Sequence, residues 1–347
     1  MKAFVMDERR QLVVKEMPEP RLEENNMIVK VKTASICGTD MRTFLKGSDK
    51  ITPPRILGHE FSAEVLEVSS YAKELGFNVG DRVTAAPAIG CGECWSCKTG
   101  YTNMCDNLQT IGFQFEGAFA EYMSIPYQAL KMGNVITLPD SIVDDDATLI
   151  EPAACALNAQ SYLNISKGDT VVIYGSGIIG CIHAELAMIQ GAEKVIMIEP
   201  IESRGRIAEK MVPGVRWISS NVENMEQVIS DNTEGRGADV IITATSYAPV
   251  HTEAQKIAAK RGRISLFGGI AGEGKGYLDS NLIHYKELQV FGVHATTAQF
   301  MKGIMDYMLD GKLDLKKYIE MEIDIENILT GFESIRDNGT MKVVIHF

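Results

Sequence analysis

The stretch Val171-Val-Ile-Tyr-Gly175-Ser-Gly177-Ile-Ile-Gly180 decides how the second half of this chain folds. Apolar residues of a strand run into a G-x-G-x-x-G turn, and Ile178 to Ala192 then reads as a helix. The glycines permit a tight turn, a close backbone approach to a pyrophosphate and close helix–strand packing. The helix N-terminus offers free N–H groups and a partial positive charge to the phosphates. A lone G-x-G-x-x-G is often only a glycine-rich turn. Here it sits between strand and helix, and an acid follows about 20 residues on, as the dinucleotide fingerprint requires. That acid is Glu199, ending the strand Lys194-Val-Ile-Met-Ile-Glu-Pro200. Its carboxylate can accept from both ribose hydroxyls and would repel a 2′-phosphate, so NAD is expected over NADP. Glu199 is a methylene longer than the more usual Asp, and Arg204 nearby could blunt the discrimination.

Outward from this turn, the chain after Lys167 alternates strands with helices, which implies parallel βαβ units in a doubly wound sheet. Residues 251–262 read as a helix and residues 263–270 as a strand within that alternation. Before it, residues 141–163 carry helical spacing after an acidic start, with Pro152 tolerable in a first turn. Residues 1–90 read as short strands punctuated by Gly and Pro, a β-rich lobe. The final stretch reads as a helix followed by strands that could return to the first lobe.

A length of 347 residues exceeds the usual single core, so two domains are expected. The net charge of −12 argues against nucleic acid as a partner, since phosphate binding needs basic patches. The N-terminus lacks a signal-peptide apolar core, and the longest apolar stretch, Val171 to Ala192, contains His183, Glu185 and Gln190, a poor membrane span. Seven cysteines without an export signal indicate reduced thiols and a cytoplasmic home.

Four of those cysteines, Cys91, Cys94, Cys97 and Cys105, are spaced C-x2-C-x2-C-x7-C. Thiolates bind zinc at roughly 2.3 Å, and a closed tetrathiolate is a structural site with no open position for chemistry. Gly90, Gly92 and Gly100 ease the backbone around it. A second set of ligand types brackets this lobe: Cys37 in Cys-Gly-Thr39-Asp40, His59-Glu60 after Leu57-Gly58, and Glu151 before Pro152. Taken singly, Cys37 reads as a small core residue, His59 as a turn histidine and Glu151 as a helix-start acid. As a set they describe three protein ligands and a free position, a catalytic zinc site.

With these motifs in this order, the chain resembles the zinc-dependent medium-chain dehydrogenases, in particular their sorbitol (polyol) dehydrogenase-like branch. The resemblance covers essentially the whole length. It implies an α/β protein with a GroES-like β-rich catalytic domain, residues 1–150 and 292–347, carrying a structural zinc lobe near residues 88–108. A Rossmann domain with a doubly wound parallel sheet, residues 151–291, would be inserted. It implies two zinc ions per chain: Cys37, His59 and Glu151 would bind the catalytic one, Glu60 binding it directly or through water. Thr39 would take the substrate's proton, and Asp40 would orient His59. Gly175, Gly177, Ile179, Gly180, Glu199, Arg204, Phe267, Gly268, Gly269, Val293 and His294 would line the NAD site.

The implied reaction is hydride transfer from a secondary alcohol of a polyol to NAD, giving a ketose. Two departures bear on the substrate. Arg42 stands where many relatives have the histidine that ends the proton relay, and it cannot act as a base. His294-Ala295-Thr296-Thr297 replaces the region where sorbitol-type enzymes often carry a substrate arginine. Arg42, Lys46 and Arg55 could instead hold an anion, which would turn the substrate into a sugar-alcohol phosphate, a sugar acid or L-threonine. A zinc-free quinone reductase-like protein, or a nucleotide-binding protein without activity, is the reading from another class. A homodimer or homotetramer is expected, through the edge strand at Glu287–Val293.

Overall fold

The computed structural model describes residues 1–270 and 275–347. The chain divides into two compact units, Met1–Ala154 with Ala295–Phe347, and Cys155–His294. The first is therefore built from both ends of the chain, and Glu151 belongs to it.

In the first unit the strands Val135–Thr137, Arg82–Ala85, Phe61–Val68, Met27–Ser35, Lys342–His346 and Ile319–Asp324 lie in that order in one sheet, with Tyr122–Ile125 also paired to Met27–Ser35. A second sheet orders Leu12–Glu16, Lys2–Met6 and Arg55–Ile56. The closing strands thus do return to the first lobe. Alternation in these strands sends Val29, Val31, Ala63, Val65 and Val343 into a core shared with Phe4, Phe61, Phe119 and Phe332. Three neighbouring strands matter most. Phe61–Val68 and Lys342–His346 both run antiparallel to Met27–Ser35. The start of the first, the end of Met27–Ser35 and the start of the last therefore come together at one end of the sheet. A helix, Gly38–Lys46, follows the central strand in a region expected to be only β-rich.

In the second unit six parallel strands lie in the order Val215–Ile218, Lys194–Ile198, Thr170–Tyr174, Ala238–Thr243, Ala258–Leu266 and Gln289–Gly292. In order of appearance that is 3-2-1-4-5-6, the doubly wound arrangement. Strands such as Thr170–Tyr174 are buried along their whole length, as a sheet covered on both faces requires.

Two element readings change. The helix expected over residues 251–262 is Pro249–Ile257, and Ala258 already belongs to the next strand, opposite Ala238. Helix propensity of the alanines yields there to parallel pairing, and Arg261, at φ +63°, accompanies a register shift. The helix expected over 141–163 is two, Asp144–Ala147 and Ile150–Ser161, with Pro152 in the first turn of the second. Among the described residues, no helix is long and apolar enough to cross a membrane.

Candidate active site and nucleotide site

The four sulfurs of Cys91, Cys94, Cys97 and Cys105 lie within 4.8 Å of one another. Cys94 caps the short helix Trp95–Lys98, Cys97 lies inside it, and Cys105 ends the turn Thr102–Met104. Backbone N–H groups point at the sulfurs: Cys91 N–H donates to Cys105 Sγ at 3.2 Å and Cys94 N–H to Cys91 Sγ at 3.3 Å. Such donors favour thiolate. They draw the Cys94 thiol down to about 6, through the N–H groups of Cys97 and Asp106. Burial pushes Cys97 the other way, to about 12. A dication among the four sulfurs would remove that opposition. Close packing requires glycine at position 90, where a Cβ would lie 2.7 Å from Cys97 Sγ. None of the seven cysteines is in a disulfide.

The second cluster forms where the three strand ends meet. Cys37 caps the helix Gly38–Lys46: its sulfur accepts from Thr39 N–H at 3.5 Å, and its own N–H donates to Asp40 Oδ2 at 3.0 Å. Capping thereby fixes Asp40, which is buried, and brings its Oδ1 to 3.7 Å from His59 Nδ1. That separation is too long for a hydrogen bond. His59 follows Gly58, whose φ of +91°, and the 2.5 Å at which a Cβ there would meet the Phe119 ring, exclude a side chain. Glu60 leads into Phe61–Val68. Its Oε2 accepts from Ser35 Oγ at 2.5 Å and Lys342 Nζ at 2.5 Å, while Oε1 is buried without a partner.

Ligand atoms of Cys37, His59 and Glu60 lie within 4.8 Å of one another. Glu151, buried in the first turn of Ile150–Ser161, stands beside this group rather than in it; its charge acts on both His59 and Lys342. Burial opposes charge on His59, yet Asp40, Cys37 and Glu151 hold its pKa well above the ordinary value. Burial and Glu60 raise the Cys37 thiol, and burial raises Asp40. Too many acids face one another with too little positive charge. Sulfur, imidazole and carboxylate donors, an orphaned Glu60 Oε1 and an unbonded His59 Nδ1 fit a zinc ion. Thr39 is half-buried two residues after Cys37. Arg42 and Lys46 are exposed, four residues apart on one helix, without an ion pair among the described residues. Arg55 is taken by Glu116 at 2.7 Å, so it drops out of the anion trio.

In the second unit the sequence-expected nucleotide residues gather at the carboxyl ends of the strands, where doubly wound sheets bind ligands. Gly175 has φ +97°, and a Cβ on Gly180 would lie 2.0 Å from the Gly175 carbonyl oxygen. Gly177 caps the helix Ile178–Ile189, with nothing crowding its Cα and Ile179 half-buried behind it. Glu199 is buried and engaged: Oε2 accepts from Ser176 N–H and Oγ–H, each at 3.1 Å, and Oε1 accepts from Ile201 N–H at 3.1 Å. The carboxylate therefore also holds the glycine turn itself, a role the sequence did not indicate. Arg204 is exposed on Glu202–Met211 and free of ion pairs among the described residues. Gly268 packs on the Thr245 backbone, with room for no Cβ: one would sit 2.2 Å from Thr245 O. Phe267 meets His183 edge-on at 4.7 Å, Gly269 is exposed, and half-buried Val293 and exposed His294 follow the last strand. Ser35 and Lys342 are the site residues that sequence reading missed. A lysine heading Lys342-Val-Val-Ile-His-Phe reads as a solvated strand-end charge, and nothing local signals otherwise.

Comparison with known proteins agrees with this layout. The alcohol dehydrogenase GroES-like domain family matches residues 23–139, and the zinc-binding dehydrogenase family matches residues 179–310. An uncharacterized zinc-type alcohol dehydrogenase-like protein of Haemophilus influenzae is 30% identical over 339 residues, 97% of this chain and 96% of that protein. The sorbitol dehydrogenase of Halalkalibacterium halodurans is 29% identical, over 96% of this chain and 94% of its own. Among solved structures, a zinc-binding dehydrogenase of Sinorhizobium meliloti 1021, bound to NADP, superposes with a TM-score of 0.91 at 27% identity, over 100% of this chain and 99% of that one.

Proposed function

The chain belongs to the zinc-dependent medium-chain dehydrogenases, in their sorbitol dehydrogenase-like branch, and on that premise we propose that it oxidises a secondary hydroxyl of a polyol to a ketone with NAD. The observation that carries this reading is the Cys37/His59/Glu60 group, half-buried at Cys37 and buried at His59 and Glu60, with buried Glu151 beside it. Cys37, His59 and Glu151 would hold a zinc ion, with Glu60 in reach, and Cys91, Cys94, Cys97 and Cys105 a second, structural one. Zinc at the first site would supply Lewis acidity toward an alcohol bound there, and a nicotinamide cofactor would supply the hydride acceptor. Thr39 takes the hydroxyl proton. Asp40 keeps the His59 ring oriented through charge and packing, since the two are not hydrogen-bonded. Arg42 carries a guanidinium, which cannot act as a base, so the proton leaves Thr39 by another outlet.

On the nucleotide side, the Glu199 carboxylate at the strand end favours ribose hydroxyls over a 2′-phosphate, which supports NAD. Free Arg204 is the group that would admit NADP. A homodimer or homotetramer would pair through the sheet edge Gln289–Gly292. The thiolate lobe needs reduced sulfurs, which supports a cytoplasmic home.

A second reading changes the substrate to an anionic one, such as a sugar-alcohol phosphate, a sugar acid or L-threonine. Arg42 and Lys46, exposed and without an ion pair among the described residues, favour it. The test is NAD reduction across neutral polyols, their phosphates, sugar acids and threonine, with and without a chelator. Chelator-sensitive turnover of neutral polyols is expected. Turnover of anions alone, lost in Arg42→Ala, would replace the polyol reading with the second. Metal analysis giving one zinc per chain with no turnover would revive the zinc-free reading.

A further inference from the structure

Lys342 is 2% exposed, the only buried lysine or arginine among the described residues. An ammonium group taken out of water is costly unless it is paired and hydrogen-bonded. Lys342 has both kinds of partner: Nζ donates to Glu60 Oε2 at 2.5 Å and to the Ile36 carbonyl at 3.2 Å. Ser35 Oγ donates to the same Oε2 at 2.5 Å. Two strong donors therefore converge on one oxygen of Glu60, and the other, buried Oε1, receives none. The placement is built into the sheet. Ser35 lies opposite Val344, and its N–H donates to the Glu60 carbonyl at 2.9 Å, while Ile36 N–H donates to the Val343 carbonyl at 3.1 Å. The backbones of all three strand ends are locked together around the carboxylate.

We propose that Lys342, assisted by Ser35, is the positioning residue for the catalytic metal. It tethers Glu60 by Oε2, so that Glu60 meets the metal through Oε1 alone and does not close over the position the alcohol needs. This rests on the reading of Cys37, His59, Glu60 and Glu151 as the catalytic metal site. Charge gives a second reason for a cation here. Cys37, Glu60, Glu151 and Asp40 set acidic side chains around Lys342, whose ammonium is the one buried Lys or Arg cation among the described residues. Tethering and charge compensation act together. Without Lys342, Glu60 gains both the freedom and the electrostatic incentive to bind the metal with two oxygens.

The test is the visible spectrum of the cobalt-substituted enzyme, because four-coordinate cobalt(II) absorbs several-fold more strongly than five- or six-coordinate cobalt. In Lys342→Met the catalytic-site band is expected to fall at least twofold with both metals still bound, and kcat to fall tenfold or more. Lys342→Arg restores the band and most of the turnover; Ser35→Ala moves the band the same way by less. A spectrum unchanged in Lys342→Met and Ser35→Ala overturns the tether, whatever happens to activity, and so does an Arg variant no better than Met. Should Lys342→Met fail to fold, Ser35→Ala and Lys342→Arg decide alone. Wild-type protein that binds one metal per chain refutes the site itself, which separates that failure from failure of the tether.

Discussion

Replacing Glu199 with alanine should act on stability and on nucleotide choice at once. The carboxylate accepts three hydrogen bonds in a site 6% exposed: from Ser176 N–H, Ser176 Oγ–H and Ile201 N–H. Hydrogen bonds to a charged acceptor are worth about 1.5–3 kcal/mol each, and a buried donor left unpaired costs about 1–3 kcal/mol. The Ser176 hydroxyl can turn elsewhere and water can enter the space vacated, so the net loss is nearer ~1 kcal/mol per bond, or about 3 kcal/mol. For a domain of this size that lowers Tm by roughly 10 °C. The Gly175–Gly177 turn loses its clamp in the same step, so NAD affinity should fall. Discrimination should fall further if Glu199 is, as proposed, the group that repels a 2′-phosphate, because it is gone while Arg204 remains. The assay is differential scanning calorimetry with kcat/KM for NAD and NADP, and the ratio should move toward NADP by about tenfold or more, ~1.4 kcal/mol. Glu199→Gln is the control, since it keeps an acceptor of the same shape but loses the charge. A Tm lowered by less than about 2 °C together with an unchanged ratio would refute the reasoning, for both roles assigned to the carboxylate would then be absent.

Two further outcomes are expected. Burial lowers the pKa of His183 to about 3, against about 6.5 for an exposed histidine. The folded state thus keeps His183 neutral while the unfolded state binds a proton, so stability present above pH ~6.5 is lost as pH falls toward ~3. The loss is about 2 kcal/mol at pH 5, read from melts at pH 7 and 5, and His183→Phe should flatten it; an equal slope in both proteins would count against the buried neutral histidine. Cys94→Ser should remove one metal per chain and cost several kcal/mol of stability, because a closed thiolate site contributes folding energy. The catalytic-site cobalt band should survive that change, and its loss would mean the two metal sites are not independent.

What could be read from the sequence follows from how far each signal reaches. The nucleotide turn is contiguous, and each glycine in it answers to a local constraint: Gly175 by its φ of +97°, Gly180 by the 2.0 Å approach a Cβ would make. The thiolate lobe is contiguous too, and its spacing alone carries the chemistry. Short edge elements were harder. The strand Val215–Ile218 contains Arg216 and spans only four residues, so it presents no alternation, and the helix Ser280–Lys286 has no buried residue to set a period. Helix propensity misled at Ala258–Lys260, where a parallel neighbour overrides it.

The candidate metal cluster belongs to a third kind. Ligand types at residues 37, 59, 60 and 151 were visible, but only an antiparallel sheet explains why the first three converge, Glu151 arriving beside them on the helix Ile150–Ser161. Met27–Ser35 ends where Phe61–Val68 begins, and Lys342–His346, arriving from the far end of the chain, begins at the same place. A lysine 282 residues away in sequence thereby becomes the partner of Glu60. No spacing rule could announce that pairing, because it depends on the register of strands whose order is set by the whole sheet. Its physical sense appears only once burial is known: the same carboxylate that would be a solvated strand-end acid in an open loop needs a cation here. Lys342 supplies one and would not compete for a metal bound there, since a protonated amine has no lone pair to offer. The placement of this ammonium behind the carboxylate, with thiolate and imidazole on the other side in the proposed metal site, is the property that sequence alone withheld.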